Sequence, residues 1–344
     1  MLQRTSDTLA RRSDRLEKFQ PVSGMVLPRF AGIATFMRLP CLDPGEASQI
    51  DIGLLGIPFD GGTTNRPGAR LGPRGVREAS SLMRLVNGAT LVAPYELCAC
   101  ADLGDVPVNP NDIADTLQRI EAFVAGLVAD GVTPLSVGGD HIVSYPILRA
   151  LGRERPVGMI HIDAHTDTGD VYYGGQRLTH GTPFRRAIED GVLDPKRTVQ
   201  IGTRGTMYAR DEREWGRGQG IRIIDMEEAI ERGLPSVIAE ARGVVGDGPT
   251  YVSFDVDALD PAYAPGTGTP EIGGFTTREA LQLVRGFRHL DLVGADVVEV
   301  SPPLDLSGNT ALVGATIAFE LLCLLAEART ERESGVLPSH WNKL

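Results

Sequence analysis

The chain has 344 residues, 42% of them hydrophobic, enough for one large α/β domain or two ordinary ones with a sizeable core. Its 34 basic residues face 45 acidic ones for a net charge of −11, and only Lys18, Lys196 and Lys343 among the basic residues are lysines. None of the three sits in a glycine-rich turn or an apolar strand, which excludes Schiff-base chemistry and a Walker-type phosphate loop. The acidity, with no basic run, excludes nucleic acid and favours a neutral or cationic small molecule.

From the N-terminus, Met1 to Lys18 is polar and holds no apolar run of the signal-peptide kind, so residues 1–27 read as an arm and the chain as cytoplasmic. Four cysteines, Cys41, Cys98, Cys100 and Cys323, match no disulfide framework or zinc spacing and fit free thiols. Apolar runs without alternation predict strands at Asp51–Ile57, Ala99–Leu103, Pro134–Val137, Val157–Asp163, Thr198–Gly202, Ile221–Ile224, Thr250–Val256 and Leu292–Val298. Helical spacing predicts Asn111–Ala129 with an Asn cap, Glu227–Arg242, Thr277–Arg288 capped by Thr276 or Thr277, and Asn309–Ala328. The greasy stretch Ala311–Ala328 is interrupted by Glu320 and Glu327 and reads as a buried helix, so no membrane partner is expected. Alternating β and α elements without linker or repeat imply a mostly parallel sheet with helices on both faces, a single domain over residues 28–344. Ligands of such sheets gather beyond the carboxyl ends of the strands.

There the chemistry concentrates. Four of the six histidines, His141, His161, His165 and His180, fall within 40 residues. Gly138-Gly139-Asp140-His141, Asp163-Ala164-His165-Thr166-Asp167 and Asp255-Val256-Asp257 each follow a predicted strand and open into one crevice. In extended chain Asp163, His165 and Asp167 would share a face, as would Asp255 and Asp257. Four carboxylates without cations would repel one another and raise their own pKa values, a conflict that divalent metal removes. Two His and four Asp are too many for one four-coordinate zinc but suit two oxygen-preferring ions, Mn²⁺ first, about 3.5–4 Å apart with a hydroxide nucleophile between them. His161, one step deeper in its strand, is either a packed residue or a support behind the ligands.

These motifs, with Ser253-Phe254-Asp255-Val256-Asp257-Ala258-Leu259-Asp260-Pro261, Gly266-Thr267-Gly268-Thr269-Pro270 and Glu299-Val300-Ser301-Pro302, resemble the ureohydrolase family of arginases, agmatinases and guanidino-acid hydrolases. The resemblance runs from about Pro28 to Ala328. It implies a three-layer α/β/α domain with an eight-stranded sheet, a binuclear manganese site with nickel as the alternative, hydrolysis of a guanidino group to urea and an amine, and a homo-oligomer, trimer or hexamer. It makes His141, Asp163, His165, Asp167, Asp255 and Asp257 metal ligands. His180, in Thr179-His180-Gly181-Thr182-Pro183, becomes the proton shuttle to the leaving amine with a near-neutral pKa. Glu299 becomes the carboxylate that pairs with the guanidinium, and Asp257 hydrogen-bonds the tetrahedral intermediate.

Within the family, arginases read the amino-acid end of arginine with an Asn two residues after the last ligand of the second motif. Here Asp167 is followed by Thr168-Gly169-Asp170, which argues against arginine. The segments Pro28–Phe36, Asp60–Arg70 and His180–Arg186 resemble the agmatinase and guanidinobutyrase branch, so the expected substrate is agmatine or a guanidino acid such as 4-guanidinobutyrate. Another N-substituted guanidine or a biguanide is the alternative, and a non-catalytic partner subunit is the reading from a different class. A metal-dependent deacetylase would need a single zinc and a His-His pair, absent here. Arg66, Arg70, Arg204, Asp170 and Tyr172 are the candidates to read the substrate tail.

Overall fold

Each apolar run forms a strand in the computed structural model, which describes residues 14–335. Residues 1–13 of the arm and 336–344 of the domain lie outside the described residues. The strands are β1 Ile52–Gly56, β2 Cys100–Asp105, β3 Thr133–Val137, β4 Val157–Ile162, β5 Leu193–Thr203, β6 Arg222–Asp225, β7 Thr250–Asp255 and β8 Leu292–Val298. They form one sheet in the order β2-β1-β3-β8-β7-β4-β5-β6, and every pairing is parallel. Parallel strands need crossovers, and the helices that supply them bury both faces of the sheet.

The alternation of side chains along each strand feeds two cores. Ile52 and Leu54 of β1, Ile160 and Ile162 of β4, and Val252 and Phe254 of β7 enter the first, beneath helices Gly72–Ser80, Leu234–Val245, Thr277–Arg285 and Asn309–Ser334. Leu55, Met159 and Tyr251 enter the second, beneath Ile113–Ala129, Ser144–Leu151 and Pro183–Glu189.

Helix ends correct the sequence expectation in four places, one being that the helix expected over Thr277–Arg288 ends at Arg285, with Gly286 as its cap. The cap of the helix expected from Asn111 is Asp112, whose carboxylate accepts from the Asp115 amide. The single helix expected over Glu227–Arg242 is two, Met226–Arg232 and Leu234–Val245, because Gly233 takes φ 74° and Pro235 cannot continue the first. Asn309–Ser334 runs longer than expected, 26 residues, long and apolar enough to cross a membrane by length and composition. It is packed inside the protein, and Glu320 and Glu327 along it pair with Arg285 and Arg288. Thr276 forms the expected cap, reinforced by Glu279 in a capping box. The described part of the arm lies on its own body, where Phe19 is buried, Arg15 pairs with Asp51 at 2.8 Å and Gln20 Nε2 donates to the Tyr95 carbonyl.

Candidate active site

The four adjacent central strands β3, β8, β7 and β4 deliver the charged residues to one end of the sheet. β3 runs into Gly138-Gly139 and presents His141; a Cβ on Gly139 would sit 1.6 Å from the Phe59 carbonyl oxygen, so only glycine lets these backbones pass. β8 leads to Glu299, β7 ends on Asp255, and β4 leads into the loop that carries Asp163, His165 and Asp167. Two of these residues hold a left-handed backbone unusual for their type, Asp167 at φ 51° and Glu299 at φ 63°.

The six expected metal-ligating residues come together. His141 Nδ1 lies 3.1 Å from Asp163 Oδ2, 3.0 Å from Asp167 Oδ2 and 3.2 Å from Asp255 Oδ2. His165 Nδ1 lies 3.4 Å from Asp163 Oδ1 and 3.1 Å from Asp257 Oδ2. Asp163 thus joins two groups through its two oxygens. The expected geometry differs in detail: the segment after β4 is a curled loop rather than extended chain, so Asp167 turns to His141 while His165 turns to Asp257. Asp257 sits in a short helical turn after Asp255, whose carboxylate accepts from the Asp257 amide at 2.8 Å.

Glu299 Oε2 is buried without a hydrogen-bond partner, and His141 Nδ1, equally buried, meets only the carboxylate oxygens of Asp163, Asp167 and Asp255. Unpaired groups in a protein interior are expensive and rare, and here they mark positions for a ligand atom. Imidazole nitrogens and carboxylate oxygens, with no thiolate, form a donor set for divalent metal, one that two ions sharing Asp163 would satisfy.

His161 meets the same cluster from behind. Gln200 Nε2 donates to the Thr166 carbonyl and lies 3.1 Å from His161 Nδ1, so Nδ1 accepts and His161 Nε2–H donates to Asp163 Oδ2 at 2.7 Å. A nitrogen committed this way supports Asp163 and is not itself a ligand.

Charge in the cluster is strained as the sequence anticipated at Asp255 and Asp257, but not at Asp163. Burial, with Asp257 and Asp163 adding to it, pushes Asp255 well above the usual carboxylate range, and burial with Asp163 pushes Asp257 up to about 6. Burial also opposes ionisation of Asp163, but His161, His141 and His165 overcome it and hold that carboxyl well below its usual range. Asp140, buried beside Glu299, is pushed up to about 7.

His180 and Glu299 lie beside the cluster. His180 Nδ1 is 2.8 Å from Glu299 Oε1, and Nε2 is within hydrogen-bond distance of both the Thr64 amide, 3.1 Å, and its hydroxyl, 2.7 Å. Burial lowers the pKa of this ring, but Glu299, followed by Asp140 and Asp167, outweighs it and lifts the value to about 9. That corrects the near-neutral expectation, since the neighbouring carboxylates could not be counted from sequence.

A cleft of about 740 Å³ opens above Glu299, Asp255 and Asp257, rimmed by Tyr172, Tyr173, Met207, Tyr208, Glu212 and Glu271. Of the five expected tail readers only Tyr172 lines it. Arg66 donates to the carbonyls of Thr267 and Gly268, Arg70 pairs with Asp60, and Arg204 donates to the carbonyls of Asp257, Leu259 and Glu271. Asp170 pairs with Arg185 and Arg186. These arginines tie loops around the site. Sequence reasoning missed Thr64, Asp140 and the rim residues Met207, Tyr208, Glu212 and Glu271. Asp140 was flagged only by adjacency to His141, and the rim, drawn from distant loops, carried no local signal.

With this geometry in hand, comparison with known proteins is direct. The sequence model described as Arginase family matches residues 50–324. Guanidinopropionase of Pseudomonas aeruginosa is 64% identical over 309 residues, covering 90% of this chain and 96% of the relative. Proclavaminate amidino hydrolase from Streptomyces clavuligerus superposes with a TM-score of 0.84 at 41% identity, covering 88% of this chain and 99% of that one. Trypanosoma cruzi formiminoglutamase with two Mn²⁺ superposes with a TM-score of 0.73 at 26% identity, covering 81% and 94%.

Proposed function

The chain belongs to the arginase family, is a guanidino hydrolase, and from that premise we propose that it cleaves a short linear guanidino acid, 3-guanidinopropionate ahead of 4-guanidinobutyrate. The observation that carries the guanidino chemistry is the unpaired, buried Glu299 Oε2 at the floor of the cleft. Oε1 of the same carboxylate already accepts from the His141 amide at 3.0 Å and faces His180 Nδ1 at 2.8 Å, so a guanidinium would donate its N–H groups to Oε2 and be held in place there. Support for a short acid comes from the 64% identity to a guanidinopropionase.

His141, Asp163, Asp167 and Asp255 would hold one divalent ion, and Asp163, His165 and Asp257 the other. Mn²⁺ stands ahead of Ni²⁺ on the nitrogen and carboxylate donors and on the Mn²⁺ pair in the Trypanosoma cruzi relative. When bound, such a pair supplies a nucleophile from water at neutral pH and electrophilic stabilisation of the charge that develops.

The remaining steps belong to the chain. Glu299 fixes the guanidinium with its carbon toward the cluster. His180, protonated at pH 7, stores a proton beside Glu299, and Thr64 accommodates both of its states: the hydroxyl accepts from the imidazolium and the amide donates to the neutral ring. The stored proton then serves the leaving amine, a poor leaving group until it is protonated. Asp257 accepts from the tetrahedral species.

A second reading, agmatine, is favoured by charge. Among the described residues that line the cleft, Glu212 and Glu271 stand near the rim and no Arg or Lys does. An ammonium tail suits that rim better than a carboxylate, which would rely on tyrosine hydroxyls.

Assembly as a homo-oligomer, trimer or hexamer, is part of the proposal. Met25, Val26, Phe30 and Ile33 are more than four-fifths exposed along one short segment, with Leu91 exposed as well. A monomer seldom leaves such a cluster in water.

Urea release from 3-guanidinopropionate, 4-guanidinobutyrate, agmatine and arginine, after loading with Mn²⁺ and separately with Ni²⁺, tests all of this. The highest kcat/KM is expected for 3-guanidinopropionate and the lowest for arginine. Agmatine ahead of both acids would establish the second reading, and no urea from any guanidine would favour the non-catalytic subunit.

A further inference from the structure

Behind the site a carboxylate stands at the centre of the sheet with no cation beside it among the described residues. Asp296 lies in the apolar run of β8, in register with Ser136 on β3 and Ser253 on β7, and is wholly buried. Its oxygens are satisfied by hydroxyls alone. Ser253 Oγ donates to Oδ1 at 2.7 Å, while Ser144 Oγ and Tyr251 OH donate to Oδ2 at 2.5 and 2.6 Å.

Counting protons gives the arrangement a direction. A serine hydroxyl has one proton, and Ser253 gives it to Asp296, which as a carboxylate can only accept. The other contact of Ser253, His141 Nε2 at 2.8 Å, must therefore run the opposite way, with His141 Nε2–H donating to Ser253 Oγ. Once Nε2 carries the proton, the lone pair of the neutral ring resides on Nδ1. Nδ1 is buried and faces only the carboxylates Asp163, Asp167 and Asp255, with which a lone pair has no favourable contact until a cation lies between them.

We propose that Asp296, acting through Ser253, is a positioning residue that fixes the tautomer and orientation of His141, turning its Nδ1 lone pair to one metal position and not the other. This rests on the metal-binding reading above. In Asp296→Asn the amide can present its N–H to Ser253, which then turns its proton to His141 Nε2. The ring proton moves to Nδ1 and blocks the ligand atom, although volume and packing are almost unchanged.

The test is metal binding, read without turnover. Equilibrium dialysis of the full chain against Mn²⁺, with metal counted per chain, is run on the unaltered protein and on Asp296→Asn, Ser253→Ala, the double variant and Tyr251→Phe. Both single variants are expected to weaken one of two ions about 10–100-fold, the usual effect of removing a partner of a ligating histidine, and leave the other in place. The double variant should be no worse than the weaker single one, because both break one chain of hydrogen bonds. Tyr251→Phe removes a hydroxyl from Asp296 without touching the Ser253–His141 link and should retain both affinities. Should Asp296→Asn fail to fold, Ser253→Ala against Tyr251→Phe settles the question alone. Two ions bound with unchanged affinity in Ser253→Ala, or Tyr251→Phe weakened as much as Ser253→Ala, overturns the inference while the binuclear reading stands. An unaltered protein that takes up no Mn²⁺ overturns both.

Discussion

Two regions of this protein bury acids and treat them in opposite ways. Along the helix Asn309–Ser334, Glu320 and Glu327 are buried, yet each takes a forked guanidinium, Arg285 at 3.1 Å and Arg288 at 2.9 Å. At the carboxyl ends of β4, β7 and β8, the buried Asp163, Asp255, Asp257 and Glu299 have no arginine or lysine partner among the described residues. They lean on histidines, push one another's pKa values apart, and leave Glu299 Oε2 unsatisfied. A chain that pairs its buried acids in one place could have done so in the other. Several buried acids crowded together without a cation, one of them with an oxygen that no donor reaches, are therefore the mark of a site completed from outside, by metal and by a cationic substrate.

The comparison can be broken from either side. The largest effect is expected for Asp255→Asn, which removes a carboxylate that metal should neutralise. Metal content should fall, and with it several kcal/mol of transition-state stabilisation, so turnover drops by more than roughly 10³-fold. The same change removes a strained charge, so the metal-free fold should melt no lower than the unaltered one. Full metal content in this variant would sink the assignment.

On the other side, Glu327→Gln leaves Arg288 buried opposite a neutral amide. About 3–5 kcal/mol of stability should be lost, measured by urea unfolding, while kcat per folded chain stays the same. A variant that keeps its stability but loses activity would reverse the roles of the two regions.

His180→Asn sharpens the distinction within the site. It should retain both ions and lower turnover about 10²-fold, the smaller end of what a positioned proton donor contributes. Metal content and activity that both match those of Asp255→Asn would remove the separation of roles.

The smallest effect is in pH. The His180 pKa of about 9 lies above the ordinary imidazole value of 6.5, so its bond with Glu299 contributes fully below about pH 6.5 and is lost as pH rises through about 9. In the metal-free protein, the stability difference between the unaltered chain and His180→Asn should shrink across that window. A difference that stays constant from pH 6 to 10 contradicts the raised value.

Much of this was legible in the chain because it is local. Runs such as Val157-Gly158-Met159-Ile160-His161-Ile162 announce strands buried on both faces, and the acid and histidine motifs sit directly after them. Helix ends were less legible, since Gly233 and Asp112 act through backbone conformation and a single cap bond. Asp296 did carry a signal, an acid inside an otherwise apolar strand, but its meaning depended on which hydroxyls lay across the sheet.

By itself the sequence determined the parallel α/β architecture, the end of the sheet that bears the chemistry, and the kind of donors gathered there. Residue type and strand periodicity are properties of neighbours along the chain. Only the tertiary structure decided which arginines were tied up with loop carbonyls, which face Asp163 turns to each histidine, and how far Glu299 lifts His180. Those outcomes depend on distances of a few ångströms between residues up to 202 positions apart, set by the crossovers of a sheet whose strand order departs from chain order.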